Sequence, residues 1–426
     1  PMNRSSPNSR TPAEGPATLH RAAWLVPVES PPVPDGAVLT RGGIILDAGS
    51  RRELLGRCPS GTAVADHGDA ALLPGLVNAH THLELSALRG AIPLPQPGFA
   101  SWLRELFALR ADLSPEALEG AAREGETLLA DGGACLYGDI TNGARLRAPD
   151  AGEFPARQTF LEVLGFHLAS LDAALQPGFQ NAPDGPPGTP PVSLAAHSCY
   201  SASAEVIRQA KQWTRKRGLP FSIHAAEHPE EMEFLRAGTG FCRTLLEMLG
   251  KWTPCWHPPG TSPVRYLERL GVLDEKTLLV HVVHMNPEDW EAVSRSGCSV
   301  CFCPRSNCNL NVGRADLQEA LRRGLPAAVG TDSLAGNTDL DLFAEAAFML
   351  EQYPEADPWS VLKMLTAGGA RALGREDLLG GITPGKRAHM IAVSLPGVLP
   401  VSHLAENIIL QGSKGSWQWT NPPAIG

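Results

Sequence analysis

Eight short apolar runs recur between Leu72 and Ser333, and this repetition limits the folds open to the chain. They are Leu72–His82, Ala134–Ile140, Arg157–Phe166, Val192–His197, Pro220–Glu227, Thr277–His284, Ser299–Arg305 and Pro326–Ser333. Most are nearly continuous in apolar residues rather than alternating, the pattern of parallel strands covered on both faces. Helical stretches lie between several of them. Ser114-Pro115-Glu116 combines an N-cap with proline at the first helical position, opening an amphipathic run to Ala130. Asn286-Pro287-Glu288 and Asp357-Pro358 repeat that signal before Asp289–Arg295 and Trp359–Leu373, and Ser203–Arg217, Ala315–Arg323 and Leu340–Tyr353 carry helical periodicity. Eight strands with helical crossovers predict an α/β fold, a (β/α)8 TIM barrel.

The two ends of the chain read differently. Stretches from about Ala17 to Ala70 and from about Gly380 to Trp419 are rich in Val, Ile, Gly and Pro, with alternation around Asp35-Gly36 and Pro384-Gly385. That pattern favours short strands. The expected organisation is a small β-sandwich domain built from residues 16–70 and 380–426, packed beside a catalytic barrel over 71–379. Residues 1–15, polar and rich in Pro and Ser, read as a disordered lead-in without the apolar core of a signal peptide. Pro177–Pro191 reads as a solvated connection. Lys251–Pro263, carrying Trp252, Trp256 and His257, reads either as an active-site lid or as a packed surface loop.

Composition removes several classes of function. At 426 residues, 43% of them hydrophobic, the chain can bury a large core. A formal charge of −9 with no Lys/Arg run argues against a nucleic-acid partner, and no apolar stretch reaches membrane-spanning length. Nine cysteines, an odd number, suit reduced thiols in a cytoplasmic protein. Cys298, Cys301, Cys303 and Cys308 are irregularly spaced, in and beside a predicted strand, so they read as core rather than as a thiolate metal site.

The chemistry is carried by residues at the ends of these runs. His80 and His82 in His80-Thr81-His82 are two apart, so a strand and its continuation aim both at one face. His224, His281 and Asp332 each follow a short apolar run, where a barrel strand delivers them to a common rim. Neutral imidazoles plus one carboxylate suit a borderline-soft divalent ion such as zinc. His80, His82, His224 and Asp332 are the expected ligands, leaving a place for water, whose pKa a dication lowers to about 7. Glu227, three residues after His224, is placed to move that water's proton, and His281 to hold the water and stabilise charge on the attacked carbon. His284 reads as a supporting or packed residue. No lysine precedes Lys211, so strands three and four have none to bridge two metals, which favours a single ion.

Five segments together form a recognisable set: Pro74-Gly75-Leu76-Val77-Asn78-Ala79-His80-Thr81-His82, His224-Ala225-Ala226-Glu227, Val280-His281-Val282-Val283-His284, Cys303-Pro304-Arg305-Ser306-Asn307 and Gly330-Thr331-Asp332-Ser333. They resemble the amidohydrolase superfamily, in particular its aminohydrolase and chlorohydrolase branch, which includes methylthioadenosine/S-adenosylhomocysteine, aminofutalosine and guanine deaminases and triazine hydrolases. The resemblance spans nearly the whole chain. It implies a distorted barrel, one catalytic zinc (iron in some relatives) and hydrolytic removal of an amino group from an aromatic heterocycle. It also implies that His80, His82, His224 and Asp332 bind the metal, that Glu227 shuttles protons and that His281 contacts the water.

Substrate contacts follow from the same resemblance. His197, in Ala196-His197-Ser198-Cys199-Tyr200, matches a position that reaches the substrate, and Trp102, in Phe99-Ala100-Ser101-Trp102-Leu103, matches a roof aromatic. Arg305 and Asn307 line the pocket or fix the loop after strand seven. Adenosine-type deaminases carry a glutamate two residues before the tryptophan; this chain has Ala100, a departure from the standard methylthioadenosine or S-adenosylhomocysteine pattern. The expected function is a metal-dependent hydrolytic deaminase acting on a small amino-substituted heterocycle, with no nucleic-acid or membrane partner and a homodimer as its assembly. The alternatives are hydrolysis of a C–Cl or cyclic amide bond by the same machinery, or a non-catalytic scaffold.

Overall fold

The computed structural model describes residues 15–143, 154–175, 191–397 and 399–421. The expected lead-in before Gly15 and nearly all of the Pro177–Pro191 connection lie outside the described residues.

Eight strands make the barrel: β6 (Leu76–Thr81), β7 (Ala134–Thr141), β8 (Ala156–Val163), β9 (Ser193–Ser198), β10 (Phe221–Ala225), β11 (Thr277–His281), β12 (Ser299–Phe302) and β13 (Ala327–Val329). They pair in chain order, each parallel to the next. Each coincides with one of the eight apolar runs. Leu136, Leu194, Leu279, Val300 and Val329 are fully buried, as a sheet wrapped by helices requires. The circle closes between its first and last strands: Thr81 bridges in parallel to Asp332, and the Asp332 N–H donates to the His80 carbonyl at 3.1 Å.

The first run is not one strand. It divides at Gly75 into β5 (Ala70–Pro74), which pairs antiparallel with β14 (Met390–Ser394), and β6 of the barrel. A Cβ at Gly75 would lie 2.8 Å from the Cys135 Cβ, so only glycine lets the chain pass from one sheet to the other so close to β7.

The chain ends build a second, mixed sheet of seven strands. The remaining members are β1 (Ala17–Leu25), β2 (Val33–Arg41), β3 (Ile44–Ser50), β4 (Ala63–Asp66) and β15 (Trp417–Trp419), in the order β15-β14-β5-β1-β2-β3 with β4 also on β1. The stretch after Gly380 is not all strand, however. Val401–Gly412 is a helix, with Leu404, Ala405, Ile408 and Ile409 buried on one face. Those positions recur at three to four residues, and the face packs on the helices Leu342–Gln352 and Pro358–Lys363. Helices over Phe99–Arg110, Phe241–Met248 and Pro263–Arg269 were likewise absent from the sequence expectation.

All nine cysteines are free thiols. Cys298, Cys301 and Cys303 are buried and Cys308 is exposed. Among the described residues, no helix is long and apolar enough to cross a membrane.

Candidate active site

The C-terminal ends of the barrel strands carry the expected cluster. His80 lies in β6 and His82 just beyond it, and their Nε2 atoms approach to 3.1 Å. His224, in β10, brings its Nε2 to 3.2 Å from that of His80. These three side chains offer nitrogens that all lie within 4.8 Å of one another. Asp332, just after β13, places Oδ1 3.7 Å from His82 Nε2 and 3.9 Å from His80 Nε2.

Backbone conformation turns these groups inward. Ala226, His281, Val282 and Asp332 have φ of 54°, 74°, 46° and 58°, left-handed values that non-glycine residues seldom adopt. Four such residues around one cavity mark a locally strained site held by its surroundings. The holding contacts are visible. Ser306 Oγ donates to Asp332 Oδ2 at 2.6 Å, and the Ser333 N–H donates to Oδ1 at 2.8 Å. Val282 and His284 donate their N–H groups to the carbonyls of Ala225 and Ala226.

The donor set fits a divalent metal ion. His224 Nδ1 donates to the His197 carbonyl at 2.8 Å, so its Nε2 presents a lone pair toward His80. Burial first, then the neighbouring imidazoles, holds His80 and His224 well below the usual histidine pKa, so both are neutral. Inward-facing lone pairs and a carboxylate oxygen repel one another unless a cation sits among them, and neutral imidazoles with a carboxylate are ligands that zinc accepts. His80 Nδ1, buried, has no hydrogen-bond partner among the described residues.

Glu227 and His281 face each other beside this cluster, Oε1 to Nε2 at 3.7 Å. Burial, then Asp332 and Glu230, raises the Glu227 carboxyl well above the usual carboxylate range. A carboxyl whose affinity for a proton is raised suits proton transfer. Its backbone N–H is fixed by Glu231 Oε2 at 3.1 Å, and burial pushes the Glu231 carboxyl up to about 8.

The expected substrate residues separate into two groups. Trp102 and His197 line a cavity of about 370 Å³ that also exposes His82, His224, Glu227 and Asp332. Trp102 anchors its indole N–H on the Ala335 carbonyl at 2.9 Å, and the His197 ring sits against Ser201 Oγ at 2.7 Å. Arg305 and Asn307 do not line this cavity. Arg305 grips Asp339 with two contacts of 2.6 and 2.7 Å, and its backbone N–H donates to Glu345. Asn307 is buried, with Oδ1 3.0 Å from His281 Nδ1, so it orients that imidazole rather than meeting a ligand. His284 holds the Val312 carbonyl at 2.7 Å.

Sequence reading missed Ser306 and Glu231. Ser306 lay inside a quoted motif without a role, and Glu231 was signalled only by its four-residue spacing from Glu227 on a helix start. The Lys251–Pro263 loop is packed: Trp252 stacks on Phe166 at 5.9 Å and Trp256 on Phe234 at 4.6 Å. Lys251 reaches the cavity.

Residues 71–416 match the model of the amidohydrolase family. The aminodeoxyfutalosine deaminase of Deinococcus radiodurans is 31% identical over 365 residues, covering 80% of this chain and 81% of that protein. Among solved structures, Helicobacter pylori aminofutalosine deaminase in complex with methylthio-coformycin superposes with a TM-score of 0.79 at 22% identity, over 92% of this chain and 96% of that one. An adenosine deaminase from Xanthomonas campestris with bound zinc superposes with a TM-score of 0.72 at 22% identity, over 93% and 90%.

Proposed function

The chain belongs to the amidohydrolase family, and from that premise we propose that it is a hydrolytic deaminase of an amino-substituted purine nucleoside or a related heterocycle. One observation carries the reading: three imidazole nitrogens and a carboxylate oxygen converge at the barrel rim, with the Glu227 carboxyl opening on the same cavity. We assign the barrel over 71–379 as the catalytic domain, with the small β-domain formed by 16–70 and 380–426. His80, His82, His224 and Asp332 would hold one divalent ion, a set that zinc accepts, and the adenosine deaminase neighbour with bound zinc supports that ion. When bound, that ion acts as a Lewis acid that makes water nucleophilic at neutral pH.

The protein's own residues perform the remaining work. Trp102 and the apolar wall hold an aromatic ring, and His197 reaches its polar edge. His281, with Nδ1–H held by Asn307 Oδ1, presents its Nε2 lone pair to the attacking water and keeps that water in line. Glu227 takes a proton from the water and delivers it to the substrate nitrogen. The oxygen bonds to the sp² carbon bearing the amino group while the first proton settles on the adjacent ring nitrogen; the adduct's hydroxyl proton then passes through Glu227 to the amino group, which leaves as ammonia as the carbonyl forms. A relative whose name specifies aminodeoxyfutalosine deamination, and a structural neighbour in complex with methylthio-coformycin, support a nucleoside-like substrate.

The test is ammonia release by zinc-loaded protein over adenosine derivatives, amino-purines, amino-pyrimidines and triazines, with the product identified by mass. A purine nucleoside should give stoichiometric ammonia. Release of chloride or a carboxylate instead, or no turnover by metal-loaded protein, overturns the proposal.

A further inference from the structure

Glu162 lies in β8, a strand that contributes no ligand to the metal cluster, yet it opens on the same cavity as His82 and Glu227. It is only 9% exposed. Its Oε2 accepts the Asn142 amide at 2.7 Å, while its Oε1, also buried, has no hydrogen-bond partner among the described residues. A carboxylate oxygen of Glu162 falls within 4.8 Å of ring nitrogens of His197 and His224. A buried acceptor left unpaired is costly, whereas one paired with a donor recovers that cost. The cavity therefore presents a prepared acceptor beside His197 and His224.

A second metal ion does not account for it. His224 commits Nδ1 to the His197 carbonyl and Nε2 to the cluster with His80, so it has no nitrogen left for another ion. Cavity size points to a substituent on the heterocycle. At about 370 Å³ the space falls in the range of pockets that enclose drug-sized ligands, more than a bare bicyclic base fills. The walls also include the apolar Leu85, Leu103, Leu106, Phe166, Leu168 and Leu245. The cavity thus offers an aromatic face, a hydrogen-bond acceptor and an apolar wall. A ring bearing a hydroxylated sugar, itself carrying an apolar group, offers the complementary set.

We propose that Glu162 is a specificity residue whose Oε1 accepts a hydrogen bond from a secondary hydroxyl of the substrate's sugar, selecting ribosyl heterocycles over free bases and deoxygenated nucleosides. This rests on the deaminase reading for the position of the ring, but its test does not need turnover. Calorimetry on the zinc-loaded full chain would compare inosine, 2′,3′-dideoxyinosine and hypoxanthine, none of which has an amino group to lose. A hydrogen bond to a charged acceptor predicts that inosine binds at least about tenfold more tightly than the dideoxy compound. In Glu162→Ala that ratio should fall close to one. In Glu162→Gln, which keeps an acceptor for Asn142, it should be intermediate.

Circular dichroism and zinc content establish that each variant is folded and loaded. A wild-type ratio near one, no inosine binding at millimolar concentration, or hypoxanthine binding as tightly as inosine overturns the proposal. So does a wild-type ratio retained in folded Glu162→Gln or Glu162→Ala. Ammonia release is scored separately: its absence alongside the expected ratios overturns the deaminase reading and leaves the hydroxyl contact supported.

Discussion

Thr81 donates its hydroxyl to the main-chain carbonyl of Asp332 at 2.9 Å, tying the first barrel strand to the segment after the last across 251 positions. The same seam is sewn by Asn78, whose amide donates to Thr331 Oγ1 at 2.7 Å and whose Oδ1 accepts the Thr331 N–H. Closure of the barrel and assembly of the metal cluster are thus one event, because His80, His82 and Asp332 flank this seam.

Gly330 tests that link. A Cβ there would meet the His80 carbonyl at 2.7 Å and the His80 Cβ at 2.8 Å. Gly330→Ala should force β13 away from β6, costing about 1–3 kcal/mol in stability and reducing bound zinc. Thermal unfolding and metal analysis read the two effects. Unchanged values for both would show that the seam has slack.

Ser306 orients Asp332 from outside the ligand set. Removing such a partner typically weakens metal affinity or activity by about 10–100-fold. Ser306→Ala should therefore lose zinc to a competing chelator at lower chelator concentration while keeping its circular dichroism spectrum. Zinc retention equal to wild type would deny Ser306 this role.

Glu227→Gln should lower turnover by about 10²–10⁴-fold, the usual worth of positioned proton transfer, with zinc stoichiometry preserved. Near-normal ammonia release by the folded, loaded variant would remove Glu227 from the mechanism.

Asn307 distinguishes positioning from substrate contact. Because its Oδ1 faces His281 Nδ1 and it does not line the cavity, Asn307→Ala should depress kcat by about tenfold or more, as for other outer-layer partners, and leave KM nearly unchanged. A raised KM with intact kcat would return Asn307 to the substrate.

His20 gives the small β-domain a dependence on pH. Burial, and secondarily His67, pushes its imidazole down to about 4 from an ordinary value of 6.5. Between pH 6.5 and 4 the unfolded chain binds a proton at this position and the folded chain does not. The folded state therefore loses stability as pH falls through that window, by up to about 3 kcal/mol, and regains it as pH rises to 6.5. In His20→Gln the loss between pH 6.5 and 4, followed by urea denaturation, should be shallower than in wild type. An identical slope would show that His20 titrates normally.

The residue pattern alone carried the eight barrel strands, the small β-domain from both ends and the inward-facing His80, His82, His224 and Asp332. Those features are local: apolar runs must be buried, and imidazoles at strand ends bring their chemistry wherever the strands meet. Tertiary structure decided the rest. Leu72–His82 split at Gly75 because β5 found a partner in β14, and Val401–Gly412 became a helix because two other helices cover its apolar face. Arg305 turned to Asp339, Asn307 turned to His281, and Glu162 opened on the cavity. Each outcome depends on which groups lie across a space closed by distant strands, and sequence spacing carries no measure of that distance.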